Sequence, residues 1–431
     1  MASIKKLNTN KGISYKITVS NGYDMHGTKI VKTTTYKPDP ALTPKQQEIA
    51  VNKYAMEFED KVKNGYSFDG DKMSFEAFAE KWLSDIKDDL AYTTYEGYKT
   101  IIDKHIIPYF KGYKLTTIKI PLIESFYKEL AKYYAYASVK KCNIVLSSMF
   151  KTAIRWGMID INPCTNAKLP KMAKTSNDLK FFTPEQSLQF LASLDLTYET
   201  TYKGHTRIDD TGIPYNVNDY TESRTVPTQY KVFFNIALFC GLRKGEILAL
   251  HWEDIDFVNN TITVNKSVAK MENGVGYKCP KTQTSIRTIP LPTEIIPLLK
   301  KYRTEYHLTR MSLGDYWKGN NNLFIQADGK LMGRSTPYQY FKRHIKRYNE
   351  WVDSNNGAKK SNLLPLPIIP LHGLRHSCAT LLNYLDVNII DISNILGHAQ
   401  TSTTMNIYAH SFEKQKRVAS DKIDEFLRKN A

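Results

Sequence analysis

The spacing of apolar residues changes twice along this chain of 431 residues, and this pattern constrains its fold more than any other feature. Residues 15–20 alternate apolar and polar side chains and residues 29–36 are rich in β-formers, which predicts two strands. Between residues 74 and 165, apolar side chains recur every three or four positions, as they do on one face of a helix. Beyond residue 183, helical and strand patterns are mixed. We therefore expect a multidomain α+β protein.

Residues 1–65 are predicted to form a small domain with a β-sheet and one helix. The pair Asn21-Gly22 predicts a turn after the first of the two strands. Thr43-Pro44 has the sequence pattern of a helix start, with a cap residue followed by proline at the first helical position.

Two further domains and a linker are predicted after this small domain. Residues 74–165 predict an all-α domain, and the polar, lysine-rich residues 166–182 predict an exposed basic linker. A second capping sequence at Thr183 opens the last domain, residues 183–431, which is mainly helical with a small antiparallel sheet. Inside that domain, the polar residues 198–228 predict a surface insertion.

The chain is strongly basic, with 60 Lys and Arg against 43 Asp and Glu and a net charge of +17. Such a balance favours a polyanionic partner, although charge alone does not separate nucleic acid from a ribosomal or membrane surface. Lysines are concentrated in the first domain and in the linker, where a solvated charged face is the alternative to DNA contact. The candidate DNA-binding lysines are Lys5, Lys6, Lys16, Lys29, Lys32, Lys168, Lys171 and Lys174.

Targeting and redox signals point to the cytosol. The sequence has no run of about 20 apolar residues that would span a membrane, and its first six residues lack the apolar core of a signal peptide. The five cysteines are odd in number and form no CxxC pair. We therefore expect reduced thiols, and neither a disulfide framework nor a zinc site.

Three stretches of the last domain carry the residue types that phosphoryl chemistry needs. They are LFCGLRKGEILALHWEDID at residues 238–256, HGLRH at residues 372–376, and LGHAQTSTTMNIYAH at residues 396–410. In the first, an arginine follows a Gly-Leu break and a glutamate follows three residues later. In the third, a histidine precedes a tyrosine by ten residues.

In this order the stretches resemble the tyrosine recombinase, or phage integrase, family, whose pattern is Arg, Lys, His-x-x-Arg, His or Trp, and Tyr. The resemblance covers the chain in outline and is strongest from Thr183 onward. The matching residues are Arg243, Lys281, His372, Arg375, His398 and Tyr408, with Glu246 as the acidic residue beside the first arginine. Lys278 is the alternative to Lys281 as the family's hairpin lysine.

The resemblance implies that the chain cleaves DNA by transesterification. Tyr408 would attack a phosphodiester and form a 3′-phosphotyrosyl bond, which keeps the bond energy and needs no ATP. Arg243 and Arg375 would hold the two non-bridging oxygens, for which planar guanidinium groups are well suited. Lys281 would protonate the departing 5′ oxygen as general acid.

The resemblance also assigns the remaining polar residues of the motifs. His372 and His398 would share proton transfer from the tyrosine and hydrogen bonds to the phosphate, and Glu246 would orient the cluster. His376 follows His372 by four residues, as in a zinc-binding helix, but the HExxH glutamate and a nearby third ligand are missing from the sequence. His376 is therefore expected to pack beside the site. We expect neither a metal nor a cofactor, because the arginines supply the positive charge.

For the rest of the chain, the resemblance implies a particular assembly. Residues 1–65 would bind arm-type DNA sites through a three-stranded sheet, and residues 74–165 would be the SAM-like domain that binds core-type double-stranded DNA. The tail after Tyr408, residues 409–431, would dock on a neighbouring protomer or pack on its own domain. Four protomers would recombine two attachment sites through a Holliday junction, helped by a DNA-bending host factor and an excisionase.

The expected function is integration and excision of a temperate phage or an integrative conjugative element in the bacterial cytoplasm, close to the nucleoid. Two alternatives remain open at this stage. One is an enzyme similar to a type IB topoisomerase, which uses the same catalytic logic. The other is a catalytically silent DNA-binding regulator of the same fold, which predicts the loss of at least one catalytic residue.

Overall fold

The structure is a computed structural model that describes residues 2–9, 12–23, 26–63, 73–171, 180–278, 286–357, 364–397 and 428. The chain divides into two compact units, Met1–Ser176 and Asn177–Ala431. The first contains the small sheet domain and the helical domain. The second contains the residues of the three chemical motifs.

The first domain is a three-stranded antiparallel sheet with one helix. Its elements are β1 (Ser3–Thr9), β2 (Gly12–Tyr23), β3 (Lys29–Tyr36) and α1 (Pro44–Lys63), and β2 is the central strand. Alternate residues of β2, Ile17 and Val19, form a buried cluster with Ala55, Phe58 and Val62 of α1. The helix therefore covers one face of the sheet, and the predicted sheet-and-helix unit is confirmed.

The prediction of a turn at Asn21-Gly22 is wrong. Both residues belong to β2, which continues to Tyr23, and the pairing register with β3 shifts between Ser20 and Tyr23. Gly22 has φ +81°, a conformation that suits a bulge as well as a turn. The strand therefore bulges at this pair and reverses direction after it.

The helical domain contains the elements α2 (Phe75–Asp85), α3 (Tyr92–Ile101), α4 (Ile107–Phe110), α5 (Ile120–Ala131) and α6 (Tyr136–Arg155). The sequence predicts one helix over residues 93–108; in the structure a π-helical turn, Ile102–Ile106, joins α3 to α4 within this range. The helical spacing of Phe75, Phe78, Trp82 and Ile86 predicts one buried stripe, and the first three are fully buried in the core while Ile86 is partly buried. Inside that core the Trp82 indole donates a 3.0 Å hydrogen bond to the Thr152 hydroxyl, which satisfies its buried N–H.

The second unit mixes helices with short antiparallel strands, as the sequence predicted. Its helices are α7 (Pro184–Ser193), α8 (Thr228–Phe239), α9 (Lys244–Ala249), α10 (Ile295–Leu313), α11 (Thr336–Gly357), α12 (Gly373–Tyr384) and α13 (Ile389–Leu396). Its strands are β4 (Thr197–Tyr202), β5 (His205–Ile208), β6 (Pro214–Val217), β7 (Tyr220–Thr225), β8 (Ile255–Asp256), β9 (Thr261–Val264), β10 (Ser267–Met271), β11 (Gly274–Lys278) and β12 (Arg287–Pro290). The predicted capping box at Thr183 is present, with both of its hydrogen bonds.

The surface insertion predicted at residues 198–228 is a long two-part hairpin. Strand β4 pairs with β7, and β5 pairs with β6 beyond them. Nearly all of its side chains are exposed, but Tyr198 at the base is only 1% exposed. The Tyr198 hydroxyl donates a 2.6 Å hydrogen bond to the carbonyl of Ser193, so the insertion is anchored at its root.

Within the described ranges, no helix combines the length and the apolar character that crossing a bilayer requires.

Candidate active site

The break between α8 and α9 creates the position of Arg243. Gly241 has φ +60°, and a Cβ atom there would lie 2.4 Å from Leu396 Cδ2 and 3.1 Å from Cys378 Sγ. Glycine is therefore required both by the backbone conformation and by the close approach of α12 and α13. The chain turns sharply at this glycine, so Arg243 becomes the cap residue of α9.

Glu246 is the centre of a charged network at the start of α9. Its Oε2 accepts from the Arg243 backbone N–H and from Arg287 Nη2, each at 2.9 Å, and its Oε1 accepts from Arg243 Nη1 at 2.9 Å. Glu246 is 7% exposed and the Arg287 side chain 8% exposed. One buried carboxylate thus holds two guanidinium groups.

The environment of Glu246 keeps it ionised. Burial raises the pKa of its carboxyl group, but the hydrogen bonds and charges of Arg287 and Arg243 outweigh burial and hold the pKa below its usual range. The negative charge is therefore permanent near neutral pH. It fixes the direction of the Arg243 guanidinium.

The sequence motifs do not identify Arg287 as a site residue. It lies on β12 two positions before the buried Ile289, so strand alternation places both side chains on the same inward face. The sequence signal that could have identified Arg287 is an arginine on the buried face of a strand. Its partners were not predictable locally, because Glu246 and Ile395 lie 41 and 108 residues away in sequence.

The C-terminal end of α13 joins this network. Arg287 Nε donates to the carbonyl of Ile395 at 2.9 Å, and Arg243 Nη2 donates to the carbonyl of Gly397 at 3.2 Å. Gly397 ends the helix with φ +64°, and a Cβ there would lie 2.8 Å from Arg287 Nη1. The residue directly before His398 is thereby fixed against both arginines.

Arg375 approaches the site from the first turn of α12. It is 3% exposed, and its Nη1 donates to the carbonyl of Gly241 at 2.8 Å. Its Nη2 is buried without a hydrogen-bond acceptor among the described residues. Burial and the nearby charge of Arg243 lower the pKa of Arg375 to about 9, so the group remains cationic at pH 7. Two guanidinium groups therefore lie close together, and one of them has a donor that no described residue accepts from.

His372 and His376 lie at the start of α12. Their rings meet edge to face with centroids 5.0 Å apart. Partial burial and the positive charges of Arg375 and Arg243 lower the pKa of His372, and burial and His372 lower that of His376 to about 4. Both imidazoles are therefore neutral at pH 7. His376 packs beside the site, as the sequence predicted.

A buried histidine outside this cluster, His344, makes the fold sensitive to acid. His344 of α11 is 1% exposed, with Nε2 2.8 Å from Ser193 Oγ, and burial together with the charge of Arg347 lowers its pKa to about 4. An unfolded histidine titrates near 6.5, so acid protonates the unfolded chain first. This stabilisation is complete above pH 6.5 and is lost as the pH falls toward 4.

We expect the free energy of unfolding of the second unit to fall by about 2 kcal/mol from His344 alone between pH 7.5 and pH 5. Denaturant unfolding at several pH values measures this dependence. In His344→Gln, the change in the free energy of unfolding between pH 7.5 and pH 5 should be smaller by that amount. Equal pH dependence in the two proteins would contradict the assignment.

The hairpin expected to carry the catalytic lysine is present. Strands β10 and β11 pair from Ser267 opposite Lys278 to Met271 opposite Gly274, and Lys278 is the last residue of β11. Lys278 is half-buried. The favoured candidate, Lys281, lies outside the described residues, as do His398, Tyr408, His410, Lys174 and residues 409–427 of the tail.

The lysines of the first domain are divided between the two faces of its sheet. Lys5 and Lys16 are directly opposite each other on β1 and β2, and both are exposed. Lys32 is paired with the buried Val19 and so lies on the helix-covered side. Lys6 and Lys29 are exposed at other positions of the sheet, and Lys168 and Lys171 are exposed after the helical domain.

In the part of the chain that the structure describes, no three His, Cys, Asp or Glu side chains are grouped as a metal ion would require. His372 and His376 form a pair without a third ligand there. The charged groups that are concentrated at this site are arginines and one glutamate.

Two family models match the sequence. The model of the phage integrase family matches residues 215–415, and the phage integrase N-terminal SAM-like domain matches residues 74–131. Together they cover more than half of the chain. The chain is 27% identical to the ICEBs1 integrase of Bacillus subtilis, with 99% of this chain and 100% of the relative covered. It is 25% identical to a XerC-like tyrosine recombinase of Caldanaerobacter subterraneus, with 96% of each covered.

Solved structures show the same fold. The Tn1549 transposon integrase in complex with transposon right end DNA has 20% identity and a TM-score of 0.60, with 80% of this chain and 99% of that chain covered. A lambda integrase tetramer bound to a Holliday junction has 16% identity and a TM-score of 0.50, with 92% of this chain and 96% of that chain covered. The sequence matches and the shared fold agree, and the chain belongs to the phage integrase family.

Proposed function

We propose that this protein is a site-specific DNA recombinase that integrates and excises a mobile element through a covalent bond between Tyr408 and DNA. The observation that carries the proposal is the buried Nη2 of Arg375, which has no acceptor among the described residues and lies in a cluster with Arg243. A buried guanidinium donor without an acceptor is costly, so a ligand that accepts a hydrogen bond is favoured there.

A DNA phosphodiester has the chemistry that this cluster selects. Its two non-bridging oxygens are anionic acceptors, and guanidinium groups bind them with directed hydrogen bonds. Arg375 is oriented by Gly241 and Arg243 by Glu246, so both are positioned before the substrate arrives. Such prepositioned donors stabilise the extra charge that develops on the oxygens in the transition state.

The proposed cleavage step balances in atoms and charge. The Tyr408 oxygen forms a bond to phosphorus, and the bond from phosphorus to the 5′ oxygen breaks. The proton of the phenol passes to His372 or His398, and Lys281 gives a proton to the departing oxygen. The lowered pKa of His372 supports this assignment, because a neutral imidazole can accept that proton at pH 7. Attack by the free 5′ hydroxyl of another strand reverses the step.

The other parts of the chain are assigned to DNA as well. We assign residues 1–65 to arm-type sites, residues 74–165 to core sites, residues 166–182 to a basic linker and residues 183–431 to catalysis. Lys5 directly opposite Lys16 supports the first assignment. Like charges at paired positions of a sheet repel each other, and a phosphate between them relieves the repulsion.

Assembly and place in the cell complete the proposal. Four copies act on two double-stranded DNA sites through a Holliday junction, with a DNA-bending host factor and an excisionase as further partners. The protein acts in the cytoplasm beside the nucleoid. Every residue of the family's catalytic pattern has a match in the sequence, which favours an enzyme over a silent DNA-binding regulator. The small N-terminal sheet domain favours an integrase over a type IB topoisomerase.

The test uses a nicked suicide duplex carrying the end of the host element, with EDTA present. Wild-type protein is expected to give an SDS-resistant adduct with DNA, because the arginines rather than a metal stabilise the phosphate. Tyr408→Phe is expected to bind the same DNA and give no adduct. Tight binding by the wild type without any adduct would support the silent regulator instead, and an adduct from Tyr408→Phe would reject the nucleophile.

A further inference from the structure

A hydrogen-bonded cluster outside the charged network holds the hairpin β10–β11. The Tyr277 hydroxyl on β11 donates to Asn322 Oδ1, which leaves its oxygen available to accept from His251 Nε2, 3.2 Å away. The rings of Tyr277 and His251 meet edge to face with centroids 5.5 Å apart. We name these three residues the hairpin latch.

The two partners of Tyr277 are themselves fixed to the body of the domain. Asn322 is 3% exposed and forms an antiparallel bridge with His251. The neighbouring backbone groups are paired as well, because Leu323 N–H donates to the carbonyl of Leu250 at 2.8 Å. The His251 N–H donates to Asp254 Oδ2 at 2.8 Å. Tyr277 is thus attached to a rigid support.

The hairpin needs such an attachment. Among the described residues β11 pairs only with β10, and a two-stranded sheet has little stability of its own. On β10, Val268 is buried in the core, and Gly245 of α9 lies so close that a Cβ there would be 2.5 Å from Ser267 Oγ. On β11, Tyr277 makes the corresponding attachment.

The protonation of Tyr277 suits this role. Partial burial raises the pKa of its hydroxyl group, and the carboxylate of Asp254 raises it further. The phenol therefore remains protonated near neutral pH, where it can donate to Asn322.

We propose that Tyr277 is a positioning residue for the general acid: the latch fixes the end of β11, and the chain from that end leads to Lys281. This inference rests on the proposed role of Lys281. Lys278 ends the strand, and three further residues span at most about 11 Å. Tyr277 and Lys278 point to opposite faces of β11, so the latch also leaves unoccupied the face of Lys278, the alternative general acid.

Loss of the Tyr277 hydroxyl is expected to impair one step, the protonation of the leaving group. In Tyr277→Phe the hydroxyl is lost while the ring remains, so the hairpin keeps its packing and loses its directed contact. An error of about 1 Å in the placement of a catalytic group costs up to a hundredfold in rate, so cleavage of ordinary DNA is expected to slow by tenfold to a hundredfold.

The test compares two suicide duplexes, one with an ordinary scissile phosphodiester and one with sulfur in place of the bridging 5′ oxygen. A thiolate leaves without a proton, so the second substrate needs no general acid. Tyr277→Phe and Lys281→Ala are both expected to be slow on the first duplex and to recover to within about twofold of the wild-type rate on the second. Tyr316→Phe, which removes an exposed hydroxyl of the same unit, is the matched control with unchanged rates.

The results distinguish the positioning role of Tyr277 from the general-acid role of Lys281. Equal slowing of Tyr277→Phe on both duplexes, or no slowing on either, would overturn the positioning role. Failure of the sulfur substrate to rescue Lys281→Ala would reject the general acid itself, and rescue of Lys278→Ala in its place would transfer that role to Lys278. Thermal unfolding and the Kd for DNA are measured on each variant. For Tyr277→Phe the Kd is expected to match the wild type, and the melting temperature is expected to fall slightly because Asn322 Oδ1 loses its donor, while the protein stays folded at the assay temperature.

Discussion

Arg375→Lys is expected to cleave its DNA site about a hundredfold to a thousandfold more slowly than the wild type, although the charge at position 375 is unchanged. In the proposed site the guanidinium group uses Nη1 to hold the carbonyl of Gly241 and would present Nη2, which has no acceptor among the described residues, to the phosphate. An ammonium group is a single charged centre that cannot make both directed contacts from one planar frame. We therefore expect that the planar shape of the side chain, in addition to its charge, is required at this position.

Single-turnover cleavage of the suicide duplex measures this effect, with the Kd for the same DNA measured in parallel. The Kd is expected to change much less than the rate, because many other lysines and arginines contact the backbone of a bound duplex. Arg303→Lys is the matched control, since Arg303 lies on α10 with its guanidinium over the ring of Phe257. A rate for Arg375→Lys within a few fold of the wild type would contradict the proposed phosphate contact.

Glu246→Gln is expected to lower the free energy of unfolding of the second unit by about 3 kcal/mol. The substitution keeps the size of the side chain but removes the charge that holds Arg243 and the buried Arg287. Arg287, whose side chain is 8% exposed, would then lie without its anion in a place that water reaches poorly, and Arg243 would lose the group that orients it. For a unit of this size, the melting temperature is expected to fall by about 6 to 12 °C.

Glu222→Gln supplies the matched control for this prediction. Glu222 pairs with Arg224 at 2.8 Å on the exposed hairpin insertion, and both side chains are about half exposed. An exposed pair of this kind contributes less than about 1 kcal/mol, so its loss should hardly change the melting temperature. If the Glu246 and Glu222 variants melted at the same temperature, the buried network would not have the role assigned to it. Activity of Glu246→Gln is expected to be lost together with the alignment of Arg243.

The sequence predicted the local part of the site well. Arg243 and Glu246 are three residues apart at one helix start, so a short motif contains both partners and the capping geometry that joins them. The stripe of Phe75, Phe78 and Trp82 was equally predictable, because helical spacing alone determines which side chains are buried.

The sequence did not predict contacts between distant segments. Arg287 binds groups 41 and 108 residues away, and Tyr277 binds Asn322, 45 residues away. Such pairs depend on tertiary packing, which no local pattern encodes. The prediction of a turn at Asn21-Gly22 was wrong for a related reason. A glycine with positive φ is compatible with a turn and with a bulge, and the pairing of β2 with β3 decides between them.

The central claim is that Tyr408 becomes joined to DNA through a 3′ phosphate. The most direct measurement is to digest the EDTA-resistant adduct with protease and nuclease and to locate the remaining nucleotide on the peptide by mass spectrometry. If Tyr408 is the nucleophile, we expect a nucleotide attached by its 3′ phosphate to the Tyr408 side chain, together with a free 5′ hydroxyl on the released strand. A nucleotide attached to any other residue, or attached by a 5′ phosphate, would contradict it.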